Sequence, residues 1–124
     1  MALCLAAGAV TVRLALAAFT LAWTHSVEKV RWEEDWRIEN GALVLAEARV
    51  QGSGAGMEPP EGAVFAGGFW HYRPDLPPLP RLELARSGAV PDWSLCHDGL
   101  CAELGALLPG ETAGRSVVLG PCPG

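Results

Sequence analysis

Short stretches of this chain alternate apolar and polar residues with a period of two, the mark of strands buried on one face. The clearest runs from Val30 to Ile38. Val30, Trp32, Glu34, Trp36 and Ile38 share one face, and Arg31, Glu33, Asp35 and Arg37 share the other. The first face is apolar except for Glu34, which sits between two tryptophans. The second is a mixed-charge row of the kind a solvated strand face carries. Asn40-Gly41 then accepts the positive φ angles of a two-residue hairpin turn, and Leu43 to Val50 returns as the partner strand.

A two-residue turn fixes the register. Ile38 should oppose Leu43, Trp36 should oppose Leu45, Glu34 should oppose Glu47, and Trp32 should oppose Arg49. This sets two carboxylates against each other on the apolar face, where they repel unless a cation or a shared proton lies between them. Arg49, two residues from Glu47 on that face, is placed to supply the charge. The inference depends on register, because a one-residue slip turns every side chain to the opposite face.

Elsewhere the alternation is shorter. Val10, Val12, Leu14 and Leu16 interleave with Thr11, Arg13 and Ala15, and Phe19, Leu21 and Trp23 with Thr20, Ala22 and Thr24. Residues 1–23 are therefore read as the first strands. The competing reading, an export signal with a small-residue site at Ala15-Leu16-Ala17, lacks a basic start and has Arg13 inside its apolar run. Arg13 and Gly8 also argue against a membrane-spanning helix here.

Residues 51–60, rich in glycine, form a loop. Phe69 to Arg73 is a short aromatic strand, and the prolines of 74–80 make an extended edge or connector. Arg81 to Ala85 is a further strand. Asp92 to Leu104 is a second hairpin turning at Asp98-Gly99, with Trp93 and Leu95 facing Leu104 and Ala102 on the core side. Ser116 to Leu119 is a closing strand. Many short strands cut by turns, in a chain with 15 glycines and 10 prolines, predict an all-β fold. The expectation is a single domain over residues 1–124, an antiparallel β-sandwich or a distorted barrel.

Composition changes this picture little. At 124 residues the chain is long enough to bury a core without staples, and 50% hydrophobic residues exclude the disordered class. A net charge of -5 with no basic stripe argues against a nucleic-acid partner and suits cations.

The second hairpin brings Cys96 opposite Cys101 on the face away from Trp93. Three readings stay open: a cross-strand disulfide, two plain thiols, or, with His97 nearby, a zinc site that lacks a second cysteine pair. Cys4 and Cys122, near opposite termini, can pair only if the end strands meet.

The candidate site gathers His25, Ser26, Glu28, Glu34, Glu47 and Arg49, flanked by Trp32, Trp36 and the loop glycines Gly54 and Gly56. Glu28, Glu34 and Glu47 offer the hard oxygen ligands that a divalent cation prefers. Alternatively, Arg49 holds the carboxylate of a small solute while the tryptophans stack on its apolar parts. Against both stands a purely structural ion-pair network of Arg49 with Glu47 and Glu34, with His25 capping a turn. Catalysis is not expected. Neighbouring His25 and Ser26 point to opposite faces of an extended chain, and no nucleophile elbow or phosphate loop is present. A hydrolase using paired carboxylates is a remote alternative. The aromatic strand at Phe69, Trp70 and Tyr72, with the proline run, offers an edge for docking on a partner protein.

At Thr24 to Glu28, with Glu34, Glu47-Ala48-Arg49 and Gly54-Ala55-Gly56-Met57, the chain resembles the bacterial "domain of unknown function 1850" family over nearly its whole length. The resemblance brings no established activity. Because such proteins are often encoded beside tripartite (TRAP-type) transporter genes, it implies a transport-accessory role and a TRAP-type transporter component as partner. Many of these proteins carry an N-terminal membrane or export segment. This chain shows no clear leader, so a cytoplasmic location is expected, with an extracytoplasmic one as the alternative.

Overall fold

The computed structural model describes residues 1–24, 29–52, 59–86, 91–110 and 114–123. In chain order the strands are β1 (Leu3–Ala7), β2 (Val10–Leu14), β3 (Ala18–Thr24), β4 (Arg31–Glu39), β5 (Ala42–Gln51), β6 (Val64–Ala66), β7 (Phe69–Tyr72), β8 (Leu82–Leu84), β9 (Ser94–His97), β10 (Leu100–Glu103) and β11 (Val117–Pro121). Among the described residues one short helix, α1 (Leu104–Leu107), interrupts them.

The alternating stretches became strands because each has an apolar row to bury, and the turns between them supply the backbone angles. Asn40 and Gly41 have φ of 50° and 73°, and Asp98 and Gly99 have 51° and 79°. Both central residues of each hairpin are thus left-handed, as a turn that follows the strand twist requires. Gly67 and Gly68, at 61° and 85°, make the same turn between β6 and β7. The Gly-Gly signal for that hairpin stands in the sequence, and β6 is a strand that the periodicity did not reveal.

The strands form two antiparallel sheets, one ordered β2-β1-β11-β8 and the other β10-β9-β3-β4-β5-β7-β6. Both end in edge strands, which makes the fold a sandwich and not a closed barrel. Leu3 and Leu5 of β1 with Val117 and Leu119 of β11 face Phe19, Leu21, Trp36, Ile38, Leu43 and Leu95 of the larger sheet, and Leu104 and Leu108 close one side. Many of these side chains are fully buried, so truncating one, such as Leu21→Ala, costs about 3 kcal/mol.

The end strands do meet. β1 pairs with β11, setting Cys4 beside Gly120 and within reach of Cys122, and the two cysteines form a disulfide across a separation of 118 residues. Closing so long a loop contributes about 5 kcal/mol in the chain-entropy account. At the opposite side of the sandwich, the Asp92 carboxylate accepts hydrogen bonds from Arg86 Nε and Nη2, both at 2.9 Å. It also accepts from the backbone N–H groups of Trp93 at 2.8 Å and Gly105 at 2.7 Å. This clasp joins the chain leaving β8 to the chain entering β9, and so ties one sheet to the other.

Candidate functional site

The hairpin of β4 and β5 decides where the charged residues go. Its register begins as the turn predicts, with Ile38 opposite Leu43 and Trp36 opposite Leu45. It then shifts between Trp36 and Asp35, leaving Ala46 as an extra residue on β5. Beyond this bulge Asp35 opposes Glu47, Glu34 opposes Ala48, Glu33 opposes Arg49, and Trp32 opposes Val50. The expected pairing of Glu34 with Glu47 and of Trp32 with Arg49 is therefore corrected.

The physical reason lies in β5 itself. Its apolar positions change phase, from Leu43 and Leu45 to Ala48 and Val50, and an uninterrupted register would have turned Glu47 and Arg49 into the core. One extra residue removes that conflict, as bulges do. Ala48 and Val50 are 3% and 1% exposed as a result, and Glu47 and Arg49 face outward.

On that outer face Arg49 gathers the carboxylates. Its Nε donates to Glu33 Oε1 at 2.6 Å, and Nη1 and Nη2 donate to Asp35 Oδ2 and Oδ1 at 2.8 and 3.0 Å. Nη1 also lies 3.1 Å from Glu47 Oε2. Thr20 Oγ1 on β3 donates to Asp35 Oδ1 at 2.7 Å, and Arg31 Nε donates to Glu33 Oε2 at 2.5 Å. On β7, His71 places Nδ1 3.2 Å from Glu47 Oε2 and Nε2 3.0 Å from the Ala66 carbonyl. Both ring nitrogens face acceptors.

Each carboxylate of the network accepts from at least one arginine. Partial burial pushes the Glu33 carboxyl up, but hydrogen bonds from Arg31 and Arg49 outweigh it and hold the group below its ordinary value. Burial acts on Asp35 in the same sense and is outweighed by hydrogen bonds from Arg49 and Thr20. The hydrogen bonds to Asp35, opposed by burial and reinforced by Glu33, raise Arg49 further above its ordinary value. The row that sequence reasoning took for a solvated face is a half-buried ion-pair network. Its signal was the same change of phase in β5.

A shallow depression of about 490 Å³ adjoins this network, lined by Thr20, Asp35, Arg49, Cys96 and His97 among others. The hairpin of β9 and β10 forms its wall. Cys96 stands opposite Cys101 as predicted, and the two form a disulfide, which leaves no thiolate for zinc.

The inner face of the larger sheet is different. Glu34 shares it with Trp32, Trp36, Leu21 and Ala48, and Tyr72 lies beyond Ala48 on β7. Its one hydrogen bond among the described residues comes from Trp36 Nε1, at 3.2 Å. Burial raises the Glu34 carboxyl above its ordinary value, and the Trp36 contact offsets this only in part. Burial and then the Glu34 charge raise the Tyr72 phenol.

Next to Glu34, at the end of the sheet, runs a cross-strand row: Trp23, Trp32, Val50, Trp70 and Phe65, one from each of five adjacent strands. Trp23 stacks on Trp32 with ring centres 6.0 Å apart and planes 10° apart, and Trp93 leans on Trp23 at 4.6 Å. Phe65 packs on Trp70 at 5.1 Å. Gly52 makes room for that pair, since a Cβ there would come within 2.7 Å of Trp70 and 2.5 Å of Phe65.

Of the sequence-predicted site residues, Glu47 and Arg49 come together on the outer face, and Glu34 stands apart from them on the inner one. The expected cation ligands Glu34 and Glu47 thus cannot share an ion, and Glu28, the third, lies outside the described residues. His25, Ser26, Gly54 and Gly56 lie outside them too. Among the described residues, no group of three or more His, Cys, Asp or Glu side chains is arranged to hold a metal ion. The aromatic strand β7 is not an edge. β6 covers it, and β6 exposes Val64 and Phe65, at 64% and 50%.

Fold and site together define a disulfide-bridged antiparallel sandwich whose larger sheet has one charge-paired face and one face with a solitary carboxylate among aromatic rings. The chain belongs to the family described as domain of unknown function (DUF1850), which it matches over residues 19–104. The matched region runs from β3 to the start of α1 and includes both faces of the larger sheet. No curated protein and no solved structure matches the chain.

Proposed function

We propose that this protein is a non-catalytic accessory domain that binds a small solute at the Glu34 end of its larger sheet. The observation that carries the reading is Glu34 itself, a half-buried carboxylate with no basic partner among the described residues. A carboxylate held away from water without a counter-charge is costly in a resting fold, and such groups concentrate at functional sites. The Arg49 network is not the ligand site in this reading, because each of its carboxylates already has an arginine partner.

Two disulfides support an oxidising compartment, and so favour the extracytoplasmic alternative over the cytoplasmic expectation. The family resemblance supports a role beside a TRAP-type solute transporter. The test is a thermal-shift and native mass spectrometry screen of small solutes against the wild-type protein and Glu34→Gln. At least one solute should raise the melting temperature of the wild type, and the substitution should remove the shift. A wild-type shift that Glu34→Gln leaves intact contradicts the reading.

A second reading treats the charged network as structural and the protein as a docking module. It is favoured by the β6 edge, where Val64 and Phe65 are exposed beside open backbone groups. Retention of a TRAP-type membrane component by the wild type, lost in Phe65→Asp, supports it.

A further inference from the structure

The charge distribution around Glu34 narrows the kind of solute that the proposed site accepts. The three arginines on β4 and β5, Arg31, Arg37 and Arg49, are all turned to the outer face. There they pair with Glu33, Glu39, Asp35 and Glu47. The inner face of the same two strands carries Trp32, Glu34, Trp36, Ile38, Leu43, Leu45, Ala48 and Val50, so its sole charge is negative. Ala48 stands between Glu34 and Tyr72 across the strands. Tryptophan faces attract cations through the ring quadrupole, and tryptophan does so best among the aromatic residues.

Resting on the binding reading above, we infer that the Glu34 end of the larger sheet takes an organic cation, with its ammonium group against the Glu34 carboxylate and its alkyl body on the tryptophan rings. A metal ion does not suit the same place, because hard cations need six or more oxygen ligands and the flanking groups among the described residues are indole, alkyl and the single phenol of Tyr72. A carboxylate solute would meet like charge. A neutral polar solute would leave the Glu34 charge unanswered. The net charge of -5 draws cations toward the protein as a whole.

The experiment titrates the intact, oxidised protein with choline, putrescine, the uncharged carbon isostere of choline (dimethylbutanol), magnesium chloride and succinate at constant ionic strength, followed by tryptophan fluorescence and calorimetry. Choline or putrescine should bind at least tenfold more tightly than dimethylbutanol, magnesium or succinate. Glu34→Gln should weaken that binding at least tenfold, and Trp32→Leu should weaken it while leaving Arg49 and its partners in place. Glu34→Gln removes a half-buried charge and keeps the side-chain shape, so its folding is secure.

Equal binding of choline and dimethylbutanol, or a cation affinity that Glu34→Gln does not change, overturns the cation assignment. Binding of succinate or magnesium in place of the amines overturns the assignment but leaves the broader binding reading standing. A protein that answers to none of these probes, nor to any solute in the thermal screen, loses both.

Discussion

Glu34 and Asp35 are neighbours in the chain, and the pleat of β4 sends them into opposite surroundings. Both are half-buried, so burial pushes both carboxyls up. Asp35 meets the Arg49 guanidinium and the Thr20 hydroxyl, and these carry it below its ordinary value. Glu34 meets one indole N–H among the described residues and stays above it. Glu34 lies deeper than Asp35, but the sign of each shift follows from the face it shares, since the arginines of β4 and β5 all stand on the outer one. That face is assigned by the single extra residue Ala46, which turns Arg49 toward Asp35 and away from Glu34.

The strongest way to break this comparison is to insert one residue between Asp35 and Trp36, which gives Ala46 a partner on β4 and removes the bulge. An uninterrupted register would turn Glu47 and Arg49 inward and Ala48 and Val50 outward. Burying those charges and exposing that apolar pair should cost at least about 4 kcal/mol, seen as a collapsed denaturant midpoint or a failure to fold. An unchanged midpoint would show that the bulge does not set the faces.

Replacing Arg49 with Met comes next. It leaves Glu33, Asp35 and Glu47 facing one another without their shared cation, and should destabilise the fold by about 2–3 kcal/mol at neutral pH. Chemical denaturation measures it. A double-mutant cycle should show strong coupling of Arg49 with Asp35 and none with Glu34.

The next two substitutions have opposite signs and opposite pH windows. Asp35 and Glu33 have lowered values in the fold. The stability they contribute is present above their unfolded values near 4 and is lost as pH falls through the folded ones. Asp35→Asn should therefore cost about 1–2 kcal/mol at neutral pH, and the difference from wild type should vanish in acid. Glu34 has a raised value. Its contribution is complete below the unfolded value near 4.3 and is lost as pH rises through the folded one. Glu34→Gln keeps the uncharged form at every pH, so the ligand-free variant should be more stable than wild type by up to about 1 kcal/mol at pH 7–8 and equal to it in acid. Melting curves across that range read both effects.

Much of the architecture was legible in the sequence, because local patterns carried it. The strands from Val10 onward other than β6, the Asn40-Gly41 and Asp98-Gly99 turns and the Cys96–Cys101 juxtaposition follow from alternation and turn chemistry. The burial of Glu34 among tryptophans also follows, since β4 keeps one phase throughout. What failed was the step from one strand to its partner. Turn geometry alone extends a register indefinitely, and only the apolar phase change from Leu45 to Ala48 reveals the bulge. For that reason Glu33, Asp35, Thr20 and His71 were passed over, and Glu47 and Arg49 were assigned to the wrong side. The pairing of Cys4 with Cys122 depends on β1 meeting β11 across the whole chain, a contact that no local pattern encodes.

The most direct measurement is the titration of individual side-chain carboxyls by carbon-detected NMR in the ligand-free protein. Glu34 should titrate above the ordinary glutamate value, and Asp35 and Glu33 below theirs, with Arg49→Met releasing the latter two and leaving Glu34 unmoved. A Glu34 that titrates low, or that shifts when Arg49 is replaced, would mean that the arginine faces it after all and that no solitary carboxylate exists on the inner face.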